Sequence, residues 1–155
     1  MHRYPMFDPP EYADWKPDRK VTKEYTATIE AQPDRKRLIK DLSEDFLIGL
    51  YKGMLRFRLH DITLKRWVKQ GVLSKAWLGT GEEAVSVGNV HALDRKSDFV
   101  APMIRNAGAC HEMGMPVVDM LREYLATEDS PSKGKDLHVG DLKYGVIAPP
   151  SQVGA

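Results

Sequence analysis

The residues best placed to do chemistry in this 155-residue chain sit at two positions, a strand-to-helix junction and a glycine-flanked loop. The junction is FVAPMI followed by RNAGACHEMG, an apolar run of strand length and then a turn into a helix. In open α/β sheets ligands gather where strands end and helix N-termini expose unpaired N–H groups, so this junction is a natural place for an anion. The loop is KGKDLHVGD, which carries His138 between two glycines. An imidazole there can hold or move a proton near neutral pH. His60 and His91 fall inside helical segments and are read as surface or hydrogen-bonded residues, and Lys133 and Lys135 as solvated loop positions. The lone cysteine, Cys110, has no partner for an internal disulfide and is read as a small buried apolar residue.

Complete catalytic constellations are missing. The chain has no GxSxG elbow, no HExxH, no phosphate loop ending in GK[ST] and no GxGxxG followed by an acidic residue. With 23 basic and 22 acidic side chains the formal charge is +1, so no excess positive field draws in nucleic acid or an anionic membrane. The polar, proline-rich N-terminus lacks the apolar core of a secretory signal, and no stretch approaches the roughly 20 apolar residues of a membrane span. The expectation is a cytoplasmic protein.

The elements that must position these residues follow from pattern. Residues 1–40, with Pro5, Pro9, Pro10, Pro17 and Pro33 among charged residues and aromatics, lack helical period and are read as an extended arm. Asp41 to Gln70 is a long amphipathic helix whose stripe is Leu47, Leu50, Tyr51, Met54, Leu55, Ile62 and Trp67. Asp41 and Glu44 are spaced for a reciprocal cap, and Gly71 suits the left-handed residue that ends a helix. Thr80 and Glu83 have capping-box spacing ahead of a small-residue helix running to about Leu93. A further helix spans Pro116 to about Thr127 with Val117, Met120, Leu121, Tyr124 and Leu125 on its buried side. The stretch from Glu128 to Pro150 has no helical period and is long for a connection, which commonly marks a functional loop. The fold class is α/β with a parallel sheet flanked by helices, helix-rich in the part present, and divided into the arm (1–40) and an incomplete domain (41–155).

The succession LYKGMLRFRLHD, TGEEAVSVGNVHALD, FVAPMIRNAGA, EMGMPVVDMLREYLA, DSPSKGKDLHVGD and GVIAPPSQVGA resembles the alpha subunits of the first component of pyruvate and branched-chain 2-oxo acid dehydrogenase complexes, from about Leu42 onward. The resemblance implies the N-terminal portion of a thiamine-diphosphate-binding fold and oxidative decarboxylation of a 2-oxo acid, with acyl transfer to a lipoyl group. It implies that Arg105 contacts the cofactor diphosphate, where a forked guanidinium suits the ligand. The usual family stretch, Tyr-Arg-x-His-Gly, is here Ile104, Arg105, Asn106, Ala107, Gly108. An aromatic and an imidazole are thus replaced, with Asn106 as a compensating polar group, which leaves the substrate open between pyruvate and branched-chain acids. Ser151, Gln152 and Val153 match the segment that meets the aminopyrimidine ring, and KGKDLHVGD resembles the stretch on the approach to the reactive carbon, which makes His138 the candidate active-site histidine.

The same resemblance implies magnesium, whose oxygen ligands come in the family from a Gly-Asp-Gly turn and an Asn-containing segment. Neither occurs before Ala155, so the ligands are expected beyond this chain, which on its own is expected to be inactive. The implied partners are a beta subunit, in an alpha2-beta2 heterotetramer, and the lipoyl domain of the acyltransferase component. A truncated, non-catalytic subunit acting as an interaction module is the alternative.

Overall fold

The structure, a computed structural model, describes residues 18–148. By internal contacts the chain forms two compact units, Met1–Gly49 and Leu50–Ala155.

The described part of the first unit holds two helices, α1 (Arg19–Glu30) and α2 (Pro33–Lys40), and the start of a third. This corrects the reading of residues 1–40 as extended throughout. Asp18 caps α1 by accepting the Lys20 N–H at 2.8 Å, Pro33 occupies the start of α2, and no glycine or proline interrupts residues 18–32. Helical period failed as a signal here because neither helix buries a single residue, so nothing selects an apolar stripe. An ion pair between Lys36 and Glu30 links the two helices. Helix α3 (Glu44–Lys69) begins where Ser43 Oγ accepts the Phe46 N–H at 3.2 Å. The cap is therefore Ser43, and Asp41, expected to serve, instead closes α2.

The second unit is built on the remainder of α3, which ends at Gly71 in the left-handed conformation (φ 73°) as its sequence anticipates. Its buried face is Gly53, Phe57, His60, Asp61, Ile62 and Leu64. Of the anticipated stripe only Ile62 is buried, while Tyr51 and Leu55 are exposed. Side-chain apolarity misplaced the face because Gly53, lacking a side chain, lets Glu112 and Val87 approach the helix backbone closely. Three short helices complete the unit: α4 (Glu83–His91), α5 (Ala107–Glu112) and α6 (Val117–Tyr124). A 3-10 turn follows at Leu142–Tyr144. Phe57, Leu64, Leu73, Val90, Cys110, Met113, Met120, Tyr124 and Val146 lie in one apolar cluster. Phe57 is fully buried, with Gly79 and Gly108 against its ring.

The FVAPMI segment forms no strand, which corrects that expectation. Among the described residues β-structure is limited to isolated bridges, one of them a parallel bridge between Val100 and Val146. The Val100 N–H donates to Gly145 O at 2.9 Å and the Ile147 N–H to Val100 O at 2.8 Å. A strand exists only through its ladder partners, and one point of pairing is too little to extend it. The described part is accordingly helix-rich, and a complete α/β sheet is not among its features.

Candidate functional site

The turn from Gly79 to Glu83 organises the site. A Cβ added to Gly79 would lie 2.3 Å from the carbonyl oxygen of Arg105 and 2.4 Å from the Phe57 ring, so only glycine lets this turn rest on the Arg105 backbone. Thr80 Oγ1 donates to Asp61 Oδ2 at 2.9 Å. Glu83 pairs with Arg58 of α3 at 2.5 Å and accepts the Gly81 N–H at 2.9 Å. The expected capping box therefore does not form: the N-cap position is Glu82, Glu83 takes the Gly81 N–H instead of that of Thr80, and the Thr80 hydroxyl goes to Asp61. Burial pushes the Asp61 carboxyl up to about 7, against the lowering effect of the Thr80 hydrogen bond.

Arg105 sits in the turn before α5, its side chain about half exposed, with Nε 3.3 Å from Glu82 Oε1. The adjacent Asn106 donates through Nδ2 to Glu82 Oε2 at 2.8 Å and to Ser86 Oγ at 3.0 Å. A carboxylate only accepts, so the Asn106 amide orientation is fixed with both protons facing inward. Its backbone N–H is also engaged, by Met103 O at 2.8 Å. Asn106 thus offers a ligand its carbonyl oxygen, and Arg105 supplies the available positive charge. Helix α5 has only six residues, too short to act as an anion site in its own right.

His138 lies on the loop after α6. Its Nδ1 is 2.7 Å from Asp136 Oδ1, and the same oxygen accepts the His138 backbone N–H at 2.9 Å. The carboxylate fixes the proton on Nδ1 and leaves Nε2 for exchange with a ligand or water. Hydrogen bonds from the His138 backbone and ring hold the Asp136 carboxyl below the usual carboxylate range. The loop is tied internally by Ser130 Oγ, which accepts the Gly134 N–H, and by Ser132 Oγ, which bridges both main-chain groups of Asp136. It is tied to α6 by Glu123, fully buried, whose Oε2 accepts the Ser132 N–H at 3.2 Å.

The structure brings the junction and the loop close to each other, since Ile104 and Val139 line one small cavity of about 10 Å³ with Tyr124 and Cys110. The Arg105 and His138 side chains share no hydrogen bond or ion pair among the described residues. Ser151, Gln152 and Val153 lie outside the described residues. Cys110 is buried, and burial pushes its thiol up to about 12, which keeps it from acting as a nucleophile. Among the described residues no three His, Cys, Asp or Glu side chains converge as metal ligands, and no helix is long and apolar enough to cross a membrane.

Sequence reasoning missed Glu82, Asp136, Glu123 and His111, the partner of His60, which it read as a surface or hydrogen-bonded helix residue and which the structure shows hydrogen-bonded in the core. Asp136 was detectable, because an aspartate two residues before a loop histidine readily forms this local turn. Both imidazoles are almost fully buried, with His111 Nε2 3.2 Å from His60 Nδ1 and ring centroids 5.0 Å apart. Burial lowers their pKa values to about 3 for His111 and about 4 for His60. They are neutral structural groups.

Residues 51–155 match the family described as dehydrogenase E1 component, and the chain belongs to that family. Similar proteins include the 2-oxoisovalerate dehydrogenase subunit alpha of Pseudomonas aeruginosa, 33% identical over 98 residues that make up 63% of this chain and 24% of that protein. The subunit of the same name from Bacillus subtilis is 29% identical over 115 residues, 72% of this chain and 35% of the relative. A mitochondrial counterpart from Dictyostelium discoideum is 28% identical over 105 residues, 66% and 24% of the two chains. The matched region thus spans between a quarter and about a third of the length of these relatives.

Proposed function

We propose that the chain is the N-terminal part of the alpha subunit of a thiamine-diphosphate-dependent 2-oxo acid dehydrogenase, acting on a branched-chain 2-oxo acid. The observation that carries this reading is Arg105, whose side chain is 45% exposed at the turn before α5 and ion-paired to Glu82 at its Nε. A planar guanidinium fits a phosphate oxygen pair. The branched-chain assignment rests on the names of the relatives, which are 2-oxoisovalerate dehydrogenase alpha subunits.

In this reading the cofactor supplies the electron sink for decarboxylation. Arg105 grips the diphosphate, Asn106 stiffens the turn that carries it, and Ser151, Gln152 and Val153 line the aminopyrimidine. His138, with its proton fixed by Asp136, holds or delivers a proton at Nε2 near the substrate carboxylate. Magnesium is held by ligands outside residues 18–148, and a beta-type subunit completes an alpha2-beta2 assembly that passes the acyl group to a lipoyl domain. Residues 41–155 form the cofactor-binding part, residues 1–40 serve as an arm, and the protein works in the cytoplasm. A second reading, a non-catalytic docking module, is favoured by the exposed Tyr51, Leu55 and Leu59 on α3.

Calorimetric titration with thiamine diphosphate and magnesium separates the two. Tight binding is expected for the complex of a beta-type subunit with an alpha subunit that carries the magnesium ligands as well as these residues, and not for the chain alone, and Arg105→Met in that complex should weaken it at least about tenfold, the scale of one charge-assisted phosphate contact. Decarboxylation of 2-oxoisovalerate in preference to pyruvate is expected of that complex. A complex that binds no thiamine diphosphate supports the module and overturns the enzyme reading.

A further inference from the structure

The search for groups with no role in the proposed reaction singles out Glu82. Its two carboxylate oxygens go to two adjacent residues, Oε1 to Arg105 Nε at 3.3 Å and Oε2 to Asn106 Nδ2 at 2.8 Å. One carboxylate therefore contacts both side chains, Arg105 by an ion pair and Asn106 by a hydrogen bond. Glu82 is in turn held by the turn it belongs to. The Glu82 N–H donates to Gly79 O at 2.8 Å, Gly79 rests on the Arg105 carbonyl, and Thr80 and Glu83 fasten the turn to Asp61 and Arg58 of α3. Side chain and main chain thus connect the same two segments.

We propose that Glu82 is the positioning residue of the diphosphate site, bracing Arg105 through Nε so that the opposite end of the guanidinium is presented to the anion. The proposal rests on the reading of Arg105 as the diphosphate contact. A guanidinium can take a carboxylate along its Nε edge and a phosphate at its terminal nitrogens together, so the ligand need not displace Glu82. Two effects of Glu82 on anion binding oppose each other. Its negative charge repels the diphosphate, but the side chain is 41% exposed and solvent screens that repulsion. Against it stands the cost of ordering a long arginine side chain on binding, together with the lost hydrogen bond to Asn106. The second effect is the larger, so removing Glu82 weakens binding.

The test is thiamine diphosphate affinity, measured by calorimetry with magnesium on the complex of a beta-type partner with an alpha subunit that carries the magnesium ligands as well as these residues, with phosphate-free thiamine as the second probe. Glu82→Ala should weaken thiamine diphosphate roughly tenfold and leave thiamine unchanged. Glu82→Gln, which keeps one acceptor, should cost roughly threefold. In an Arg105→Met background Glu82→Ala should have no further effect, the signature of coupling. If Arg105→Met leaves diphosphate affinity intact, the reading of Arg105 falls and the proposal with it. If Arg105→Met weakens binding while Glu82→Ala binds as tightly as the parent or more so, the proposal alone is overturned. Equal weakening of thiamine and thiamine diphosphate in Glu82→Ala also overturns it, because Glu82 would then act on the fold at large.

Discussion

Acidification from pH 7 to pH 5 should loosen the second unit through two imidazoles that are almost fully buried. His60 and His111 titrate at about 4 and about 3 in the fold, against 6.5 in the open chain. The unfolded state therefore takes up protons that the folded state refuses, and stability present above pH 6.5 is lost as the pH falls toward the folded values. Each histidine costs about 2 kcal/mol over this interval. Asp61 works in the opposite sense. Its carboxyl is raised from 3.8 to about 7, so its contribution is complete below the open-chain value and is lost as the pH rises through 7. Acidification to pH 5 thus recovers about 2 kcal/mol at Asp61, and the net fall is about 2 kcal/mol. Asp61→Asn keeps an acceptor for Thr80 and removes the compensation, so the fall should grow to about 4 kcal/mol. Urea unfolding followed by tryptophan fluorescence at pH 7, 6 and 5 measures both. An Asp61→Asn variant equally stable at pH 7 and pH 5 would refute this account, because it would mean that the buried imidazoles accept protons as freely as exposed ones.

Other perturbations have equally definite outcomes. Gly79→Ala, which drives a methyl into the Arg105 carbonyl and the Phe57 ring, should destabilise by roughly 3 kcal/mol. Gly71→Ala, left-handed but in open space, should cost only about 1 kcal/mol, and equal melting temperatures for the two variants would contradict the packing described. Asp136→Ala removes the acceptor that holds the His138 ring, and in the assembled enzyme it should lower kcat about tenfold or more without changing thiamine diphosphate affinity; unchanged turnover would remove His138 from the mechanism. Leu55→Glu combined with Leu59→Glu, both exposed, should leave the unfolding midpoint within about 0.5 kcal/mol of the parent and reduce self-association of the isolated chain by light scattering.

Local signals in the sequence survived into the structure, and distributed ones did not. The length of α3, the left-handed Gly71 and the helix following Arg105 depend on neighbouring residues, and each was legible. The face of α3 was not, because it is chosen by what packs against Gly53 and Phe57, residues far away along the chain. Helices α1 and α2 escaped detection because they bury nothing. FVAPMI read as a strand by composition, yet a strand is a property of its partners, and Val100 meets only Val146 and its neighbours. At the site, Arg105, Asn106 and His138 came from the order of short blocks. Glu82 had no such signal, since its links to Arg105 and Asn106 span more than twenty positions and appear only when the Gly79 turn is folded onto them.

The ring of Phe57 lies between two positions that have no side chain. A Cβ at Gly79 would come within 2.4 Å of it on one side, and a Cβ at Gly108 within 2.5 Å on the other. The three positions therefore cannot drift independently over evolutionary time. A homologue that gains alanine at either glycine should carry a smaller residue in place of the phenylalanine, and one that keeps the aromatic should keep both glycines. Because Gly79 also touches Arg105, such an exchange would shift the arginine as well, so variation at a core phenylalanine is expected to track variation in cofactor affinity.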